Sequence, residues 1–152
     1  IDPIEMLSLA NSELLELHVN KYATMVVGCL DFETHTLQYS VAGHLPKPVL
    51  MTPGQSQYLA GEGMPVGLTP EATYQLETMS LPESFMLVLM SDGVLETIDE
   101  VDLIEREKTL LSRISGSLEK PGDLIRRLSL GDVTSDDLAD DIAGLFISRG
   151  VG

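Results

Sequence analysis

The amino-acid sequence predicts an α+β fold: an opening helix, a run of hairpin-joined strands, grouped helices and a closing strand. Three observations carry the prediction. Short strand patterns follow one another across turn residues, which makes their pairing antiparallel. Helical periodicity is confined to the start of the chain and to residues 103–128, so the helices are grouped rather than alternated with strands as in a doubly wound sheet. And 152 residues, 43% of them apolar, can bury one real core, with no internal repeat or low-complexity linker to divide it.

The elements follow in order. Asp2 can cap the first helix, Pro3 suits the first helical position, and Glu5 stands where a capping box needs it. Leu7, Ala10, Leu14 and Leu17 recur on one face, and Asn20 and Lys21 end the helix. Residues 22–30 are β-rich and apolar on both faces, the pattern of a buried strand. After a polar turn at 31–36, Leu37, Tyr39 and Val41 alternate with polar or small residues and return as the second arm of a hairpin. Residues 48–51 form a short third strand, placed at a sheet edge by its prolines. Thr52-Pro53-Gly54 is a turn, 61–68 is a glycine-punctuated loop, and 73–79 is another alternating strand. The continuous apolar run 85–90 marks a strand buried on both faces, and it stops abruptly at Ser91-Asp92-Gly93. Leu103, Leu110, Ile114 and Leu118 share a helical face, and Pro121 restarts a helix through Leu124, Ile125 and Leu128. An acidic loop at 131–141 leads into a final strand at 142–148.

Charge narrows the partners. Asp and Glu number 24 against 9 Lys and Arg, a net charge of −15. Such a polyanion repels phosphate backbones and anionic lipid, so nucleic acid and membrane surfaces are excluded as partners; divalent cations or a basic partner are favoured. The longest apolar run falls far short of the roughly 20 residues that span a bilayer. No basic segment followed by an apolar stretch marks a signal peptide. The lone Cys29 allows neither an intrachain disulfide nor a thiolate zinc cluster, which suits a cytoplasmic location. The first residue is Ile1 rather than Met, as expected of a piece of something longer.

Few residues are placed to do chemistry. Asp92 follows a buried strand directly and precedes Gly93, so its carboxylate stands rigidly at a strand's end; a turn or helix-capping aspartate is the competing reading. Asp132, Asp136, Asp137, Asp140 and Asp141 crowd the acidic loop. The first three read as solvated, whereas Asp140 and Asp141 abut a buried strand, where adjacent charges are tolerated beside water or a cation. The loop lacks the glycine and terminal glutamate of a calcium-binding loop. Carboxylates select hard cations such as Mg²⁺ or Mn²⁺, and a pair of these about 3.5–4 Å apart can activate water and clamp a phosphoryl group. Asp92 and Asp140 could serve if their strands lie side by side. His18 and His35 read as surface residues, His44 as structural, and Cys29 as a core thiol. No nucleophile elbow and no phosphate-binding glycine loop before a Lys is present.

Taken in order, several blocks form a recognisable pattern. Tyr22-Ala23-Thr24 leads to Gly28 and Leu30-Asp31; then come Leu37 to Pro46 with Ala42-Gly43-His44, Gly63-Met64-Pro65-Val66-Gly67-Leu68, Ser91-Asp92-Gly93 and Asp140-Asp141-Ile142. The series resembles the bacterial metal-dependent protein phosphatases of the sporulation-phosphatase and stress-regulator type, a branch of the PP2C class. The helix with Pro3, Leu7 and Asn11 is similar to the one that precedes that family's strands.

The resemblance implies two packed antiparallel sheets flanked by helices. It implies two Mn²⁺ or Mg²⁺ ions and hydrolysis of phosphoserine or phosphothreonine on a partner protein, usually an anti-anti-sigma factor in sigma-factor or stress signalling. It implies that Asp92 and Asp140 are catalytic metal aspartates, with Asp141 as a neighbour that could itself be the ligand. Ala143 stands where the family usually has Thr. The family's front section, with its Gly-Gly-Asp and Asp-Val-Ser-Gly-His-Gly blocks, has no counterpart here. Residues 1–152 are therefore expected to be the back portion of a single PP2C-like domain, with an incomplete core and metal set. A receiver or sensor domain is expected upstream, and a homodimer is compatible with all of this. The alternative is a pseudophosphatase adaptor of a response regulator, which binds a sigma factor or anti-sigma component without catalysis.

Overall fold

Asp2 starts the chain's first helix by the chemistry that its sequence announces. In the computed structural model, which describes residues 1–116, 118, 120–128 and 141–151, its Oδ1 accepts from the backbone N–H of Ile4 at 2.8 Å and of Glu5 at 3.4 Å. The elements are then α1 (Pro3–Glu16), β1 (Met25–Asp31), β2 (Thr36–Ala42), β3 (Val49–Thr52), β4 (Gln55–Tyr58) and β5 (Glu77–Ser80). They continue with β6 (Phe85–Met90), α2 (Gly93–Glu96), α3 (Leu103–Ile114), α4 (Pro121–Arg127) and β7 (Gly144–Arg149). Two antiparallel sheets result, ordered β1-β2-β5 and β4-β3-β6-β7, so the α+β expectation with antiparallel pairing holds.

The chain divides into two compact units. One comprises 1–44 and 60–81, the other 45–59 and 82–152. In the first unit, β1 and β2 form the expected hairpin, with Gly28 opposite Tyr39. Asp31 closes its turn by accepting from the N–H groups of Glu33 and Thr34 at 2.8 and 3.0 Å. The Thr34 backbone and hydroxyl, then the Glu33 backbone, hold the Asp31 carboxyl below its ordinary pKa. Leu7 of α1 packs with Ala42, Val66 and Tyr74. Asn11 fastens the 61–68 loop to α1. Its Nδ2 donates to the Thr69 carbonyl at 3.0 Å and its Oδ1 accepts from the Gly67 N–H at 2.7 Å. Gly67 has φ +81°, and a Cβ there would lie 2.5 Å from Leu14, so the loop needs glycine at this point.

In the second unit, β6 is the strand that the apolar run predicts. It pairs with β3 on one edge and β7 on the other, and five of its six residues are buried. Its core joins Met86, Val88 and Met90 to Val49 and Met51 of β3 and to Leu110, Ile114 and Leu124 of the helices. Asp102 caps α3 through the N–H groups of Ile104 and Glu105. Arg127 of α4 donates to the carbonyls of Arg113, Ile114 and Ser115, closing the open end of α3.

Several expectations change. The first strand is not buried on both faces: β1 sits at the end of its sheet order and its residues are half-buried or exposed. The third strand is not an edge. Pro46 and Pro48 precede β3, so its own N–H groups remain available and it pairs on both sides, with β4 and β6. The polar strand β4, which lacks an apolar pattern, goes unseen in the sequence. The alternating stretch 73–79 contributes only its end to β5, while Tyr74 is buried outside any strand. Leu17 falls beyond α1 and Leu103 sits in the first turn of α3, and both are largely exposed. The acidic residues Asp132, Asp136, Asp137 and Asp140 lie outside the described residues.

Replacing Asn11, which is 5% exposed, by Ala strands the part-buried Gly67 N–H and Thr69 carbonyl together. Asn11→Ala should lower unfolding free energy by about 1–3 kcal/mol, read as a fall in urea midpoint at unchanged slope.

Candidate functional site

The two aspartate-bearing segments meet because β6 and β7 pair. Their register sets Met90 against Gly144 at the end of the ladder. One step further, the Ser91 N–H donates to the Ala143 carbonyl at 2.9 Å. A regular antiparallel pair would return a bond from the Ala143 N–H to the Ser91 carbonyl. That carbonyl has instead turned into α2, where it accepts from the Val94 N–H at 3.3 Å. The Ser91 hydroxyl takes its place. Oγ accepts from the Ala143 N–H at 2.8 Å and donates to the Asp141 carbonyl at 3.0 Å. The segments that carry Asp92 and Asp141 therefore run side by side, whereas Asp140, the partner that the sequence offers Asp92, lies outside the described residues.

Asp92 occupies the N-cap position of α2, yet its side chain makes no capping hydrogen bond. The reason is conformational: its φ of −63° and ψ of −24° are already helical, whereas the capping residues Asp2 and Asp102 are extended. The carboxylate is exposed, as is Asp141. The helix-cap reading of Asp92 therefore fails on geometry. Beside this junction, Met90, Ile125, Ile142, Ala143 and Phe146 line an apolar cavity of about 230 Å³.

Of the residues singled out from sequence, Asp92 and Asp141 lie on segments that Ser91 joins, and Asp140 lies outside the described residues. His44 is half-buried in the other unit; His18 and His35 adopt positive φ at turns. Cys29 is half-buried in β1. Among the described residues, no three His, Cys, Asp or Glu side chains gather as a cation site. The donor chemistry of Asp92 and Asp141 nonetheless suits a hard divalent cation, which takes carboxylate oxygens and completes its shell with water. Sequence reasoning names Ser91 within the Ser-Asp-Gly block but gives it no role. The signal was present: a hydroxyl residue at the exact point where an apolar strand stops and a glycine turn begins.

This arrangement of two antiparallel sheets with flanking helices is the PP2C-type phosphatase fold. The phosphatase domain of SpoIIE from Bacillus subtilis matches with a TM-score of 0.65 at 14% identity, over 98% of this chain and 74% of that one. The RsbU and RsbW domains of a Mycobacterium tuberculosis protein match at 0.72 and 22%, over 100% and 43%. RsbX in complex with magnesium matches at 0.67 and 18%, over 99% and 66%. The family profile of Stage II sporulation protein E (SpoIIE) covers residues 1–150, and the chain belongs to that family. Protein IcfG of Synechocystis is 26% identical over 132 residues; these are 84% of this chain and 21% of that protein, so the chain spans about a fifth of this curated relative.

Because Asp92 caps nothing, Asp92→Ala should change stability by no more than about 0.5 kcal/mol. Asp102→Ala, which removes a real cap, should cost about 1 kcal/mol. Parallel thermal melts of the two variants check the contrast.

Proposed function

We infer that the chain contributes to a divalent-cation-dependent protein serine/threonine phosphatase. The observation that supports this most is the β6–β7 junction, where Ser91 joins the segments of two exposed carboxylates, Asp92 and Asp141. Family membership and the solved phosphatase domains of the same fold support the same reading.

Asp92 would hold the cation from the β6 side, and Asp140 or Asp141 from the β7 side. Bound Mn²⁺ or Mg²⁺ supplies Lewis acidity to phosphoryl transfer. The protein's part is to fix its carboxylates: Asp92 by the turn from β6 into α2, Asp141 by the clamp on its carbonyl. The substrate class is phosphoserine or phosphothreonine on a regulatory protein of the anti-anti-sigma type, in cytoplasmic sigma-factor signalling. The direction of a relative that carries both RsbU and RsbW domains supports it, as does the fact that no helix among the described residues is long and apolar enough to cross a membrane. An upstream receiver or sensor domain would regulate it. Residues 1–152 act as the back portion of one phosphatase domain. A cation-free adaptor of a response regulator is the second reading, favoured by the short donor set among the described residues.

The test is hydrolysis of a phosphoserine protein by the intact protein. Activity should vanish with a chelator, return with Mn²⁺, and fall by on the order of 100-fold or more in Asp92→Asn. Undiminished hydrolysis in that variant would sink the assignment. Calorimetry that shows no Mn²⁺ binding would favour the adaptor.

A further inference from the structure

Ser91 is half-buried, and its hydroxyl is used twice, once as acceptor and once as donor. A serine at a strand end usually needs neither bond. Here both go to the same opposing segment, one residue on each side of Ile142. They sit at the point where the backbone leaves the ladder, just after the Ser91 N–H has bonded the Ala143 carbonyl. The Ser91 carbonyl, which would have accepted the return bond, belongs to α2. Without the hydroxyl, the 141–143 segment would keep one backbone bond to β6 beyond Met90, that of the Ser91 N–H.

We propose that Ser91 is a positioning residue for divalent-cation binding: its hydroxyl sets the place of the Asp141 segment relative to Asp92, and so the separation at which the two strands present their carboxylates. The proposal rests on the phosphatase reading above, because it gives the carboxylate pair a cation to hold. A ligand group binds a cation tightly only if its backbone is fixed before the cation arrives, and groups that orient ligands affect affinity without touching the ion. Asp141 begins the described segment at 141–151, directly after the acidic stretch, and the Ser91 hydroxyl fastens its carbonyl there.

The hydroxyl, rather than the residue's size, is the operative group. Thr keeps it and suits an extended backbone, while Ala removes it and leaves the strand otherwise unaltered. The intact protein should therefore be made as Ser91→Ala, Ser91→Thr and Asp92→Asn, and read in two ways. Amide exchange by NMR in cation-free buffer follows the Ala143 N–H. Calorimetric titration with Mn²⁺ follows affinity. Ser91→Ala should speed Ala143 exchange by at least about tenfold and weaken Mn²⁺ binding by about 10–100-fold, with its melting transition still cooperative. Ser91→Thr should restore both. If Ser91→Ala exchanges faster but binds Mn²⁺ like the parent, the hydroxyl is only structural and the proposal is overturned. Unchanged exchange overturns it as well. A parent that binds Mn²⁺ but loses it in Asp92→Asn, while Ser91→Ala is unaffected, removes the positioning role and leaves the phosphatase reading standing. A parent that binds no Mn²⁺ removes both.

Discussion

Strand β6 is buried on both faces and hydrogen-bonded along both edges, and nearly everything in its unit takes its position from it. Its side chains face β-strand neighbours and helices alike, so α3 and α4 are docked by Leu110, Ile114 and Leu124 against the same core that β3 enters through Val49 and Met51. A strand so enclosed cannot slip by one residue without exchanging its two faces and breaking two ladders at once. Register on the β7 side is thereby fixed, and the register in turn decides which residues stand at the strand ends. The meeting of residue 91 with 141–143 is a consequence of core packing and of the register that it sets.

The charge pattern is arranged in keeping with that. Among the described residues, Asp2, Asp31 and Asp102 stand near the ends of elements and accept backbone N–H bonds that start a helix or close a turn. Asp92 occupies a comparable position and has no such bond. A carboxylate placed at a helix start in helical rather than extended conformation forgoes local stabilisation that its neighbours in sequence enjoy. Such a local inconsistency accords with the cation-binding role proposed for Asp92.

Much of this was legible beforehand, for identifiable reasons. Periodicity and capping residues mark α1, α3 and α4, and the unbroken run 85–90 marks β6, because burial on both faces leaves no polar position. What escaped was decided by partners distant in the chain. Residues 55–58 are polar and become β4 because β3 lies opposite; residues 22–30 are apolar and yet line the end of a sheet order. The prolines near β3 misled because their effect depends on whether they stand in the ladder or just before it. At the site, Asp92 and Asp141 could be picked out by type and place, but the joining of their segments required the β6–β7 register. Ser91 was hidden for a related reason: its role exists only once the backbone of 91 leaves the ladder.

The chain passes between its units more than once. The β3–β4 hairpin, though it falls between segments of the first unit in sequence, belongs to the sheet of the second. Neither unit is thus a continuous stretch that could be cut out, duplicated or exchanged by joining gene segments end to end. A break between 81 and 82 would leave one product holding β3 with Val49 and Met51 and no core to receive them, and the other holding β6 with one edge open. An unpaired apolar edge invites association with other chains. The interleaving therefore ties the inheritance of the two units together: variation can reach each of them by substitution, but recombination must carry both.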